Sequence, residues 1–428
     1  MCDVKTIGTF NCGLTGGGIE RVVAVLSGLW LKAGYRVVVF TDKPVTLCDD
    51  FDLPKGVVHK VLPKCGTDRE DAWISSIRED KIDVLVHHQF SSKNFAGDIE
   101  VAKKGGIKTV VVMHEPFSAE RYGVEGWNNS LYVKPFPCVD AMVCLSPTEA
   151  LWWGSTLHRP VFYIPNPLPF DCNTPIVWQK EASRDILWIG RFASRKRLED
   201  AIRAYAIVAQ QDKDARLVVL GSSSRNEVNR RFRRFVHQLG VSDRVVFAGR
   251  QKDVAQFLRN AYAHLSTSVS ESYALTLAES KAHGVPIVMY NLPYLALSDG
   301  NRGILTAEIG DVQGLAQALI MILHDVDFRN RLGDEGRKSL EPLENERVIQ
   351  DWKRVLRTIH RDPTGSYSEL PHYQTQEYYQ FVLNEITRSW QFFMRENAWK
   401  MKLFEWMSSH FPMSWVKSFI KARRPDLF

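Results

Sequence analysis

Short apolar runs alternate with amphipathic stretches twice along this chain, and that doubled pattern limits the fold more than any motif does. Runs buried on both faces belong to parallel strands, and the amphipathic stretches between them are the crossover helices of βα units. The first series reads as strands at Val4–Phe10, Tyr35–Phe40, Val84–Val86, Thr109–Met113, Ala141–Leu145 and Val161–Ile164. A second runs through Ile186–Ile189, Arg216–Leu220, Arg244–Ala248, Ala263–Ser266 and Pro286–Met289 and ends near Ile304. Pro165-Asn166-Pro167-Leu168-Pro169 and the polar stretch to Ser183 separate the two series, because proline fixes its own φ and donates no backbone hydrogen bond. The expected fold class is α/β, with two doubly wound Rossmann-like domains, 1–168 and 184–343, facing a cleft. Ligands of such sheets bind outside the carboxyl ends of the strands.

Length and charge narrow the function classes. The 428 residues are too many for one ordinary core and suit two or three domains. A net charge of +6 is too mild for a nucleic-acid binder but suits phosphorylated ligands or an anionic membrane surface. Seven scattered cysteines without a CxxC pair imply reduced thiols and no zinc site. Neither a secretion leader nor an apolar spanning run is visible, so the expected location is the cytoplasm.

Four constellations could carry chemistry. After the first strand, Gly16-Gly17-Gly18-Ile19-Glu20-Arg21 opens an amphipathic helix, a turn that lets a ligand approach backbone amides at a helix start. As a dinucleotide fingerprint it fails, since Arg21 stands where a third glycine belongs; Asp42 after the second strand keeps a nicotinamide reading open. Gly190-Arg191 closes the first strand of the second half, with Arg195, Lys196 and Arg197 just beyond. Two such cations can hold a diphosphate and neutralise charge developing on a departing phosphate, or simply form a solvated basic turn. Glu271 and Glu279 lie eight apart across a loop and the start of a helix ending at Gly284. They can accept hydrogen bonds from hydroxyl groups, yet Thr276-Leu277-Ala278-Glu279 also spells a capping box. His114 ends an apolar strand and can donate a hydrogen bond or exchange a proton; His87 and His88 compete for that role. The Asp212-Lys213-Asp214 triplet reads as a polar turn, Arg230, Arg231, Arg233 and Arg234 as a solvated helix face, and no metal ligand set is apparent.

Taken in order, Gly17–Glu20, His114, Ile164-Pro165-Asn166, Gly190-Arg191 with Lys196, and Glu271–Glu279 followed by Ala282-His283-Gly284-Val285-Pro286 resemble the GT-B glycosyltransferases, most closely the large retaining group 1 / family 4. The likeness spans about residues 4–360. It implies the GT-B fold and a metal-independent hexosyltransferase that needs no cofactor beyond its nucleotide-sugar substrate, with a UDP-sugar ahead of a GDP-sugar. The resemblance assigns Arg191 and Lys196 to the donor diphosphate, Glu279 to the ribose hydroxyls and Glu271 to the donor sugar. Gly17 and Gly18 would approach the donor from the first domain, and His114 the anomeric carbon. Tyr273, Ala274, Leu275 and Thr276 would line the phosphates and sugar, and Arg250 and Gln251 the base. The family's Glu-Gly-Phe-Gly is Glu271-Ser272-Tyr273-Ala274 here, and Pro167 replaces a glycine. A closing helix over 344–360, anchored by Trp352, is implied to cross back to the first domain. An epimerase or phosphorylase of the same fold, and a non-catalytic scaffold, are the alternatives.

Residues 361–428 lie outside the resemblance and hold 15 of the chain's 47 aromatic residues; from Arg388 onward eight basic residues face three acidic ones. This extension could meet an anionic membrane surface through 388–428, pack on the first domain, or join a second subunit in a homo-oligomer. A glycan or lipid-linked acceptor at the inner face of the cell membrane fits the first of these.

Overall fold

A computed structural model describes residues 4–44, 51–116, 139–157, 159–170 and 183–361, with isolated positions beyond. The first sheet has seven parallel strands, β1 Thr6–Phe10, β2 Arg36–Thr41, β3 Val58–Val61, β4 Val84–His87, β5 Lys108–Met113, β6 Ala141–Cys144 and β7 Val161–Tyr163, in the order β3-β2-β1-β4-β5-β6-β7. The second has six, β8 Asp185–Ile189, β9 Arg216–Leu220, β10 Val245–Gly249, β11 Ala261–Ser266, β12 Ile287–Tyr290 and β13 Ile304–Ala307, in the order β10-β9-β8-β11-β12-β13. Both are doubly wound, and the strand order reverses beside β1 and β8, the strands that feed the glycine turn and the Arg191 turn.

Period-2 alternation explains how each strand serves two cores. In β2, Val37 and Val39 face the side covered by α1 (Gly18–Lys32), while Val38 and Phe40 face Trp73 of α2 (Thr67–Glu79) and Ile99 of α3 (Phe95–Lys104). Strand β3 went unread in the sequence because its residues are half-buried at the sheet edge and Val61 is exposed. The helix α4, Pro147–Thr156, begins with Ser146 Oγ accepting from Glu149 N at 3.2 Å, while Glu149 Oε2 reaches back to Leu145 N at 3.3 Å.

In the second half α5 (Leu198–Gln211) packs on one face, followed by α6 (Asn226–Gln238) and the turn α7 (Ala255–Leu258). Beyond α8 (Leu275–Ala282) come α9 (Val312–His324), α10 (Val326–Lys338) and α11 (Asn345–Arg361). Helix α11 returns to the first sheet: Trp352, 2% exposed, meets Trp30 of α1 edge-on with ring centroids 5.1 Å apart, worth about 1 kcal/mol beyond area burial. At its start Asn345 imitates a strand partner, accepting from Leu168 N and donating to Leu168 O, both at 2.8 Å. The chain therefore enters and leaves the second half at one clasped point. Most of 361–428, including nearly all of the 388–428 segment proposed to meet a membrane, lies outside the described residues. No helix among the described residues is long and apolar enough to cross a membrane.

Candidate active site

Glycine is required on the first wall of the cleft for two different reasons. Gly16 sits at φ +50°, and a Cβ there would stand 1.7 Å from Arg250 Nη2, so its bareness lets the guanidinium of the other half lie against the turn. At Gly17 a Cβ would stand 2.1 Å from Glu20 Oε2; the gap lets Glu20 fold back over the helix start. Gly18 makes only ordinary contact, 3.8 Å to Leu275 Cδ1. The sequence reading chose Gly17 and Gly18 and passed over Gly16, the residue that opposes Arg250. Burial raises the Glu20 carboxyl above its ordinary range, with Arg191 and Arg250 pulling it partly back.

The opposite wall begins at Gly190. Gly221, at φ +146°, passes so close that a Cβ would lie 1.8 Å from Gly190 O, which fixes the course of the turn after β8. Arg191 is exposed there. Lys196 ends the single turn Ser194–Lys196, and Arg197 follows at φ +50°. Thr267, fully buried, pins this strained turn by sharing its one hydroxyl proton between Lys196 O at 2.7 Å and Arg197 O at 3.0 Å, and itself accepts from Trp188 Nε1 at 3.0 Å. Nothing in the sequence signalled Thr267.

The structure brings Lys196 and Glu271 into direct contact, with Arg195 Nη1 3.7 Å from the other carboxylate oxygen. Burial alone would lift the Glu271 carboxyl, but Lys196 and Arg195 together hold it below its ordinary value. Lys196 is lowered by burial despite Glu271 beside it. Glu271 N also donates to Tyr294 Oη at 3.2 Å, which adds a buried phenol to the loop that the sequence left unmarked.

Ala274 occupies the left-handed region, φ 62° and ψ 71°, and caps α8. That conformation explains why glycine is the easier residue here. Helix α8 therefore starts at Leu275, with Thr276 inside it, and the capping-box reading of Thr276–Glu279 is wrong: Glu279 lies a turn further on and pairs with Arg21 of α1 across the cleft. Burial raises Glu279, and Arg21 opposes the rise. Arg21, noted in the sequence only as a fingerprint mismatch, is thus a partner of the glutamate read as a hydroxyl acceptor. Ala274, Leu275 and Thr276 stand half-buried at the mouth, whereas Tyr273 is 1% exposed and belongs to the core. Gln251 turns back to Ala248 O at 2.6 Å.

His114 joins the cleft through its backbone, whose carbonyl accepts from Ser272 Oγ at 2.6 Å. The residue is 8% exposed; its ring stacks on His88 with centroids 5.1 Å apart and places Nε2 2.8 Å from His88 Nδ1. Burial pushes His114 down to about 3, which favours the hydrogen-bond donor of the two roles read from the sequence over the proton exchanger. His87 serves structure instead, 3.6 Å from Asp98 in a buried network. In it Arg69 grips Asp98 through two bonds of 2.7 Å and Asp42 through a third. Asp42 therefore already pairs with Arg69, a structural role that the nicotinamide reading did not anticipate.

Among the described residues no group of three His, Cys, Asp or Glu could hold a metal ion. Asp212 accepts from the amides of Asp214 and Ala215 and pairs with Arg184, as a turn residue does. Away from the cleft, Arg231 and Arg234 join Arg197 and Arg203 around an open cavity of about 550 Å³ in which Glu199 and Asp200 answer three of the four cations.

Residues 16–171 match the family described as Glycosyltransferase Family 4, and residues 176–339 the family described as Glycosyl transferases group 1. The N-acetyl-alpha-D-glucosaminyl L-malate synthase of Bacillus anthracis is 28% identical over 186 residues, 42% of this chain and 47% of that protein. The lipopolysaccharide core biosynthesis glycosyltransferase LpsE of Rhizobium meliloti is 30% identical over 168 residues, 39% of this chain and 47% of that protein. These alignments span about half the length of either relative. Among solved structures, HepE of Anabaena in complex with UDP and glucose superposes with a TM-score of 0.69 at 14% identity, covering 83% of this chain and all of that one.

Proposed function

Because the chain belongs to the retaining GT-B glycosyltransferases of group 1 and family 4, we propose that it transfers a hexose from a nucleoside diphosphate sugar to a glycan or lipid-linked acceptor in surface polysaccharide or glycoconjugate synthesis. The observation that carries this reading is convergence: the Arg191–Lys196 turn, the Glu271 loop and Glu279 meet the Gly16–Arg21 turn at the carboxyl ends of β1 and β8. Arg191 and Lys196 take the diphosphate, and their fixed charges stabilise the negative charge that grows on the leaving group. Glu279 accepts from the ribose hydroxyls and Glu271 from the sugar. Gly17 and Gly18 border the phosphates; Ala274, Leu275 and Thr276 offer amides at the start of α8; Arg250 and Gln251 border the base. His114 lies by the anomeric centre as a neutral ring.

UDP is favoured as the carrier on the strength of the HepE complex, and a surface-glycan acceptor on that of the lipopolysaccharide enzyme. The test is a panel of UDP, GDP and ADP with their sugar conjugates, read by thermal shift, then by sugar transfer with and without acceptor. Stabilisation by one nucleotide series and release of its diphosphate only when acceptor is present is expected. Consumption of the nucleotide sugar alone, giving an isomer, would make the enzyme an epimerase; absence of any nucleotide binding would make it a scaffold.

A further inference from the structure

We propose that His88 is a positioning residue that fixes which nitrogen of His114 carries the proton. The inference rests on the reading of His114 as a sugar-facing ring, but its geometry stands apart from that reading. Both residues are buried, 1% and 8% exposed, and the contact between their rings runs from His88 Nδ1 to His114 Nε2 at 2.8 Å. Burial holds both below the range in which histidine is charged at neutral pH, so a single proton lies between two neutral rings.

Two arrangements satisfy that contact. If His114 Nε2–H donates, neutral His88 must carry its proton on Nε2. If His88 Nδ1–H donates, His88 Nε2 is a bare lone pair and His114 holds its proton on Nδ1. Among the described residues nothing reaches His88 Nε2, which is fully buried. The first arrangement therefore buries an N–H with no acceptor, the kind of orphan that folded proteins least often keep; the second leaves an under-satisfied acceptor, which they keep more readily. The tautomer of one ring nitrogen is set by the bond the other makes. His114 thus presents Nδ1–H, a donor suited to a sugar hydroxyl or ring oxygen and unable to act as a base.

His88 directly follows β4, where its amide donates to Phe10 O at 3.0 Å and so extends the pairing with β1, and the ring that sets the tautomer is thereby anchored to the central strands of the first sheet. The test uses the full chain labelled with ¹⁵N-histidine, with His114 assigned by difference against His114→Gln. Long-range ¹H–¹⁵N correlation should show both His88 and His114 protonated on Nδ1; a proton on His114 Nε2 overturns the proposal. His88→Asn keeps a donor near the Nδ1 position and should retain kcat within about threefold, whereas His88→Leu should lower kcat by about 10-fold or more with donor KM little changed, the effect of one mis-set hydrogen bond. Equal kcat in all three enzymes refutes the positioning role. A wild-type chain with the expected tautomer but no transfer activity refutes the glycosyltransfer reading and leaves the assignment of the dyad intact.

Discussion

The pairing of Lys196 with Glu271 makes a double-mutant cycle the sharpest probe of the cleft. The side chains are 18% and 9% exposed, so removing either leaves a largely desolvated charge behind. Breaking a buried pair costs about 3–5 kcal/mol, and partial exposure together with Arg195 at 3.7 Å reduces this to about 2–3 kcal/mol for Lys196→Met. Glu271→Gln leaves Lys196 beside the cations Arg191 and Arg195 and should cost a similar amount. The double variant removes both orphans together, so its loss should be close to that of one single change, a coupling of about 2 kcal/mol. Urea unfolding of the four proteins without ligand measures the cycle. Losses that add to within about 0.5 kcal/mol would show that the two side chains do not neutralise each other and would sink the reasoning. Turnover should behave differently: if Lys196 is the proposed cation at the leaving phosphate, Lys196→Met should be slower by about 100-fold or more, and adding Glu271→Gln should not restore it.

Arg191→Ala should likewise lower turnover by about 100-fold with a chelator harmless to the wild type, checked by nucleotide release in excess EDTA. Ala274→Gly should stabilise the chain by up to about 1 kcal/mol, because relief of a left-handed alanine exceeds the entropy glycine adds to the unfolded chain; a melt at fixed pH decides. Lys281 is 2% exposed, donates to Leu297 O and Ser339 Oγ, and is pushed by burial down to about 8. The unfolded chain binds more protons between that value and about 10.5, so stability should climb with pH across the window by about 3 kcal/mol; pH-dependent unfolding of Lys281→Met should lack that climb.

Much of the fold was legible because both sheets are buried on two faces, and such strands advertise themselves as apolar runs. Edge strand β3 has no such run, and its neighbours supply the contacts that make it a strand. The candidate site was legible as a set of residue types rather than as a set of partners. Arg191, Lys196, Glu271 and Glu279 could be picked out by their position after strands, whereas Thr267 and Tyr294 act through a hydroxyl that any threonine or tyrosine carries, and only the fold aims it.

Pairing is the part a linear reading has no means to see, and it changes the chemistry of the cleft. Read singly, Arg21 is a mismatch, Lys196 a phosphate ligand, and Glu271 and Glu279 hydroxyl acceptors. In the folded chain Glu271 and Glu279 each already hold a cation, the second of them across the cleft. Glu279 is 5% and Glu271 7% exposed, and an ionised carboxylate so buried without a partner costs several kcal/mol. Lys196 and Arg195 therefore favour the ionised form of Glu271, while Arg21 offsets part of the burial that raises Glu279. Any hydroxyl-bearing, phosphate-bearing ligand that enters must offer both kinds of partner together, hydroxyls to the carboxylates and anionic oxygens to the released cations. A simple sugar offers only the first and inorganic phosphate only the second, whereas a nucleoside diphosphate sugar carries the two on one molecule.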